Sequence, residues 1–255
     1  MGNRGYRSIL TVAAATATAE SPPRTLRVLY VGNSQMFYYD LPTMISLMAD
    51  SAPPSNARIE AGKALVGGAS LKKHWDTEGK GSVRELLATQ HWDYVVLQEL
   101  FSAKAPEFED YAAKLHEAIR KADSNTIIFA TASVTEAYSG GYKYPDSFKA
   151  LNDMQISFAK KNKIAVAAAG YAWMRYLGDN PTEAQRLDLY HADKGHPGGK
   201  GSYIYACLLY AVITGKSPEG LISEFPNIRG GVVIPKEEAA RMQKAAWDEY
   251  LESLK

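Results

Sequence analysis

Leu26-Arg27-Val28-Leu29-Tyr30-Val31-Gly32-Asn33-Ser34 sets the architecture expected of this chain. An apolar run of strand length ends in glycine, and small polar residues come after it. Near-continuous apolar runs of this length suit a strand buried on both faces, as in a parallel sheet. A terminal glycine lets the chain turn sharply and leave the next hydroxyl, that of Ser34, at the strand's tip. The backbone N–H groups at the start of the next segment then point into the same space, which suits both nucleophilic attack and stabilisation of an anion. Taken alone, the triplet also reads as an ordinary turn in which Ser34 caps the segment after it.

The same pattern recurs along the chain. Strands are predicted over 26–31, 58–66, 94–97, 126–132 and 164–168, the second closed by Gly67-Gly68. Helices are predicted over 41–49, with Asp40 as cap and Pro42 in the first turn, and over 82–88. Further helices are predicted over 106–121, with Tyr111, Leu115 and Ile119 on one face, and over 147–161, 201–214 and 235–254. Strands alternating with helices predict an α/β protein, a parallel sheet covered on both sides. Ligands of such sheets bind beyond the carboxyl ends of the strands. Ser34, Gly67-Gly68 and Gln98 each come directly after a predicted strand at that edge. No repeat, low-complexity stretch or interdomain linker interrupts 25–255, which reads as one domain.

A second cluster lies far downstream: Asp188-Leu189-Tyr190-His191-Ala192-Asp193-Lys194-Gly195-His196-Pro197-Gly198-Gly199. It contains two Asp-x-x-His pairs. A carboxylate three residues before a histidine can bond Nδ1 across a local turn, fixing the tautomer and leaving Nε2 free as a base. The pair Asp193/His196 is preferred, because it sits in a Gly/Pro loop just before the long apolar helix. A helix-capping aspartate with a surface histidine, or a metal site of Asp188, His191, Asp193 and His196, reads the same residues. No His-Glu-x-x-His pattern supports the metal. Gly-x-Ser-x-Gly is absent, and neither Gly198-Gly199-Lys200-Gly201-Ser202 nor Gly79-Lys80-Gly81 completes a phosphate or dinucleotide fingerprint. Tyr38, Tyr39, Trp75 and Trp92 are expected to pack in the core or on the surface.

Composition narrows the partners. The chain has 255 residues, 46% hydrophobic and 22% charged, with a formal net charge of +1. No basic tract or acidic tail argues for nucleic acid or an anionic membrane. Cys207, the one cysteine, lies in an apolar run and is expected to be a small buried residue. Residues 1–24 read as a leader. Arg4 and Arg7 precede an uncharged, small-residue segment with Ala17-Thr18-Ala19 as a cleavage-like site, so a secreted or periplasmic location is expected, against a disordered leader. The leader is too short and polar to span a bilayer, and no other segment qualifies.

Taken together, Val31-Gly32-Asn33-Ser34 and Asp193-x-x-His196-Pro197-x-x-x-Gly201 resemble the SGNH (GDSL-type) hydrolase family from about Leu26 to the last helix. The resemblance implies a three-layer α/β/α, flavodoxin-like fold with a five-stranded parallel sheet in the order 2-1-3-4-5. It implies a serine esterase needing no metal or other cofactor, with Ser34 as nucleophile, His196 as base and Asp193 as its partner. The oxyanion would be met by the Ser34 and Gly68 N–H groups and by Gln98, which stands where the family usually has an asparagine. The first block also departs from the usual Gly-Asp-Ser. Expected substrates are short-chain acyl esters, acetyl above all, carried by a small molecule or a carbohydrate. A lipase- or thioesterase-like enzyme, and a non-catalytic glycan-binding module on the same sheet, remain alternatives.

Overall fold

The computed structural model describes residues 24–54 and 56–255; the leader reading rests on residues outside that range. Five strands form the central sheet: β1 (Thr25–Gly32), β2 (Arg58–Leu65), β3 (Tyr94–Leu97), β4 (Asn125–Ala130) and β5 (Ala165–Ala168). All are parallel, in the order β2-β1-β3-β4-β5. The sheet therefore has the expected order, and β1 is flanked by β2 and β3.

Alternation along β1 builds a core on each side. Val28 and Tyr30 enter one apolar cluster, while Leu29 and Val31 enter the other. Between the strands run α1 (Ser34–Phe37), α2 (Leu41–Ser51), α3 (Leu71–Asp76), α4 (Val83–Thr89), α5 (Ala105–Lys121) and α6 (Asp146–Asn162). After β5 come α7 (Ala169–Leu177), α8 (Glu183–Leu187) and α9 (Gly199–Thr214). A two-stranded antiparallel ribbon, β6 (Glu224–Phe225) and β7 (Val232–Val233), precedes α10 (Lys236–Ser253). Side chains of α2, α7, α9 and α10 cover one face of the sheet, and those of α3, α4 and α5 the other. Apolar on nearly every side, α9 is buried almost throughout, as its composition requires. Cys207 lies inside it, and burial pushes its thiol far up, away from reactivity.

Several local expectations are revised. Asp40 precedes α2 in a left-handed conformation (φ 42°) and makes no side-chain cap; its carboxylate instead takes Lys63 Nζ of β2 at 2.6 Å. Tyr111 is only half-buried, and Phe108 takes its place with Leu115 and Ile119 on the buried face of α5. The helices α1, α3, α7 and α8 and the ribbon were not expected. Among the described residues no helix is long and apolar enough to cross a membrane.

Candidate active site

The site forms at the carboxyl end of β1, where Gly32 leads into α1. Asn33 caps α1: its Oδ1 accepts from the Gln35 N–H at 3.1 Å, so asparagine rather than Ser34 does the capping. Its amide also donates to the Ala69 carbonyl at 2.9 Å, holding the glycine loop against the turn. Ser34 is thereby left half-buried at the first position of α1. Gln35, on its other side, donates to the Gly195 carbonyl at 3.0 Å and ties α1 to a loop 160 positions away.

That loop carries the second motif. The His191 N–H donates to the His196 carbonyl and the Gly198 N–H to the Leu189 carbonyl, at 2.9 and 2.8 Å, which folds 189–198 back on itself. A Cβ on Gly198 would lie 2.7 Å from the Tyr190 carbonyl oxygen, so only glycine permits this approach. Lys194 takes a left-handed conformation (φ 61°) in the tight turn between Asp193 and His196. Asp193 Oδ1 accepts from the Gly195 and His196 N–H groups, both at 3.0 Å, and Oδ2 accepts from His196 Nδ1 at 2.6 Å. His196 Nε2 then lies 2.8 Å from Ser34 Oγ. With Nδ1–H committed to the carboxylate, Nε2 is the acceptor for the serine proton. The structure thus brings Ser34, His196 and Asp193 into one chain of hydrogen bonds.

The electrostatics rest on the same contacts. Partial burial opposes ionisation of Asp193, but the His196 and Gly195 N–H groups and the His196 ring outweigh it and hold the carboxyl down at about 2. Asp193 is therefore an anion wherever the imidazole can act as a base. Asp188 turns away to Lys200 Nζ at 2.7 Å, and His191 Nδ1 stands 3.5 Å from Asp193 Oδ2. Among the described residues no cluster of His, Cys, Asp and Glu has metal-holding geometry.

The glycine loop is a turn closed by the Ala69 N–H on the Val66 carbonyl at 3.1 Å, with Gly68 at φ 64°. Positive φ at this third position is what a type II turn needs, and glycine supplies it without strain. Neither the Ser34 N–H nor the Gly68 N–H has a backbone partner among the described residues. Beneath the turn, buried His74 donates from Nε2 to the Gly32 carbonyl at 2.9 Å, and burial pulls its basicity down.

Gln98 departs from expectation. Strand register sets it beside Gly32, fully buried. Its Oε1 accepts the Asn33 N–H at 2.9 Å, and its amide nitrogen donates to the Glu99 carbonyl. The first bond fixes which end of the amide is oxygen, and the chain engages one of the two N–H donors on the other end. Gly32 makes this possible: a Cβ there would lie 2.6 Å from Gln98 Oε1. Gln98 is thus a brace under the nucleophile turn. Glu99, also buried, continues the brace. Its Oε1 accepts from the Leu71 and Leu100 N–H groups at 3.1 and 2.6 Å, while Oε2 has no partner among the described residues. Burial pushes this carboxyl up to about 7 despite those two bonds.

The aromatic surroundings of the site leave little mark in the sequence. Tyr38, expected in core or surface packing, stacks on the His196 ring with centroids 3.9 Å apart and planes 4° apart. Tyr138 meets the same ring edge-on at 6.0 Å and is 42% exposed. Trp92, by contrast, is buried in the core as expected. Only the i, i+4 spacing of Ser34 and Tyr38 hinted that one turn of helix carries both.

The architecture is similar to that of solved SGNH hydrolases. No family model matches the chain, and no curated protein does. A protein of Slackia heliotrinireducens assigned to the SGNH hydrolases superposes with a TM-score of 0.58 at 22% identity, over 76% of this chain and 100% of its own. A lipase/acylhydrolase of Enterococcus faecalis gives 0.55 at 13% identity, over 77% and 97%. An acetylxylan esterase of Geobacillus stearothermophilus gives 0.54 at 13% identity, over 75% and 95%. The chain has the SGNH hydrolase fold.

Proposed function

We propose that this chain is a serine esterase of the SGNH type that hydrolyses short acyl esters, acetyl above all. The observation that carries the reading is the bond from His196 Nε2 to Ser34 Oγ at 2.8 Å, with Asp193 on the opposite nitrogen at 2.6 Å. His196 takes the Ser34 proton as the hydroxyl attacks the ester carbonyl, and Asp193 steadies the imidazolium. The Ser34 and Gly68 N–H groups face the oxyanion. Collapse of the tetrahedral intermediate expels the alcohol, which receives the proton from His196. Water, activated by the same imidazole, then releases the acid and restores Ser34.

A carbohydrate O-acetyl ester suits the rim, where Tyr138 leaves a flat apolar ring exposed beside His196. Acetylxylan esterases among the structures of this fold support that choice. The test is labelling with a fluorophosphonate, then turnover of 4-nitrophenyl acetate, octanoate and a thioester. Covalent label on Ser34, with acetate preferred, is the expected result. Preference for octanoate or the thioester would redirect the reading to a lipase- or thioesterase-like enzyme. Failure to label would leave a glycan-binding module, a reading that the inward-facing Gln98 amide favours.

A further inference from the structure

Tyr38 and Ser34 are one turn apart at the two ends of the same short helix, and the Tyr38 N–H donates to the Ser34 carbonyl at 3.2 Å. The turn that presents the nucleophile therefore also presents the ring stacked on the base. Both hydrogen bonds of His196, to Asp193 and to Ser34, lie along the imidazole plane and resist tilting out of it only weakly. A parallel ring 3.9 Å away blocks that tilt on one side. It also offers its electron-rich face to whatever charge the imidazole acquires.

We propose that Tyr38 is a positioning residue for His196, holding the imidazole in line with Ser34 and stabilising the imidazolium that forms during acyl transfer. This role rests on the esterase reading above. It acts through the base and requires no contact with substrate. The charged and titratable groups around the pair come from three other elements. Asp193 and His191 lie on the 189–198 loop, His191 edge-on to Tyr38 at 5.1 Å. Arg229, between β6 and β7, has its guanidinium carbon 5.6 Å from the Tyr38 ring centre and 5.5 Å from that of Phe37. Tyr138, after β4, meets His196 edge-on. Burial, then Asp193, raises the Tyr38 phenol above its ordinary range, so the ring stays neutral.

Arg229, held over the Tyr38 ring, and Tyr38 itself are expected to bias the imidazolium with opposite sign. Removing the π face disfavours the cation, and removing the arginine charge favours it. The experiment compares Tyr38→Leu, Tyr38→Phe and Arg229→Gln with wild type, measuring kcat and KM for 4-nitrophenyl acetate across pH, with fluorophosphonate labelling and melting temperature alongside. Tyr38→Leu is expected to lower kcat about 3- to 30-fold with KM little changed, and to move the acid limb of the profile to lower pH. Tyr38→Phe keeps the stacked ring and restores both to within about twofold, the hydroxyl beside Asp193 supplying the remainder. Arg229→Gln moves the acid limb the other way, to higher pH. Should Tyr38→Leu fail to fold, Tyr38→Met fills the space without a π face and carries the same expectation.

An unchanged kcat and acid limb in a folded Tyr38→Leu, beside an active wild type, overturns the role alone. So does a Tyr38→Phe as impaired as Tyr38→Leu, or a loss confined to KM. Wild-type protein that neither turns over ester nor takes the label overturns the esterase reading and this role with it.

Discussion

The tips of β1 and β3 lie side by side in the sheet and both end in polar residues, yet they do opposite things. Beyond β1, Ser34 is half-buried and its hydroxyl meets His196. Beyond β3, Gln98 and Glu99 are sealed in, with their hydrogen bonds turned back on the chain. A polar residue after a strand at the ligand-binding edge is thus not a ligand contact by position alone. What decides is where unsatisfied backbone groups lie nearby. The Asn33 N–H, buried in the sharp turn after Gly32, needs an acceptor, and Gln98 is the one within reach.

Four experiments test whether the two strand tips differ in this way. Ser34→Ala is expected to lower esterase turnover by about four to six orders of magnitude with the melting temperature unchanged. Retained turnover would remove chemistry from the β1 tip altogether. Asp193→Asn should cost about 10⁴-fold in kcat, by destroying the tautomer that leaves Nε2 free. It should also remove a pH effect. The carboxyl is held at about 2, below its unfolded value, so its contribution to stability is present above roughly pH 4 and lost as pH falls through about 2. Thermal melts of wild type and variant between pH 2 and 5 would show it.

Gln98→Met tests the β3 tip directly. It removes the acceptor for the Asn33 N–H and should cost about 1–3 kcal/mol of stability in denaturant titration. Its kcat should fall by less than the roughly 10²–10³-fold that loss of an oxyanion donor brings. A large kcat loss at unchanged stability would return Gln98 to the oxyanion hole. The smallest effect belongs to Glu99→Gln. With its carboxyl raised to about 7, the folded state holds a proton that the unfolded state releases, so wild-type stability falls as pH rises from about 4.5 through 7. The amide keeps an acceptor for the Leu71 and Leu100 N–H groups and carries no charge. The variant should melt higher than wild type at pH 8, and the difference should vanish near pH 5.

What the sequence made legible and what it hid divide along the same line. The alternation of strands and helices was readable from the residues, the sheet order only through the family resemblance, and Ser34, Asp193 and His196 stood out as candidates because each leaves a local mark: an apolar run ending in glycine, or a carboxylate three positions from an imidazole. The direction of the Gln98 amide was hidden, because its acceptor role is set by an N–H 65 positions earlier. Tyr38 was hidden likewise, since nothing near it in sequence reveals a histidine ring against its face. Helix α7 escaped because it starts directly after β5, with Ala168 at the cap position and no side-chain cap bond to announce it.

The separation of 162 positions from Ser34 to His196 has a practical side. Strands β2 to β5 all lie between them, so the reacting pair exists only when the sheet has assembled across its width. Gly140 and Gly141 are exposed, with open space around both. A break there leaves the hydroxyl on one fragment and the imidazole on the other. On the esterase reading proposed above, neither piece alone would turn over a chromogenic acetate, so colour would report the joining of the two halves.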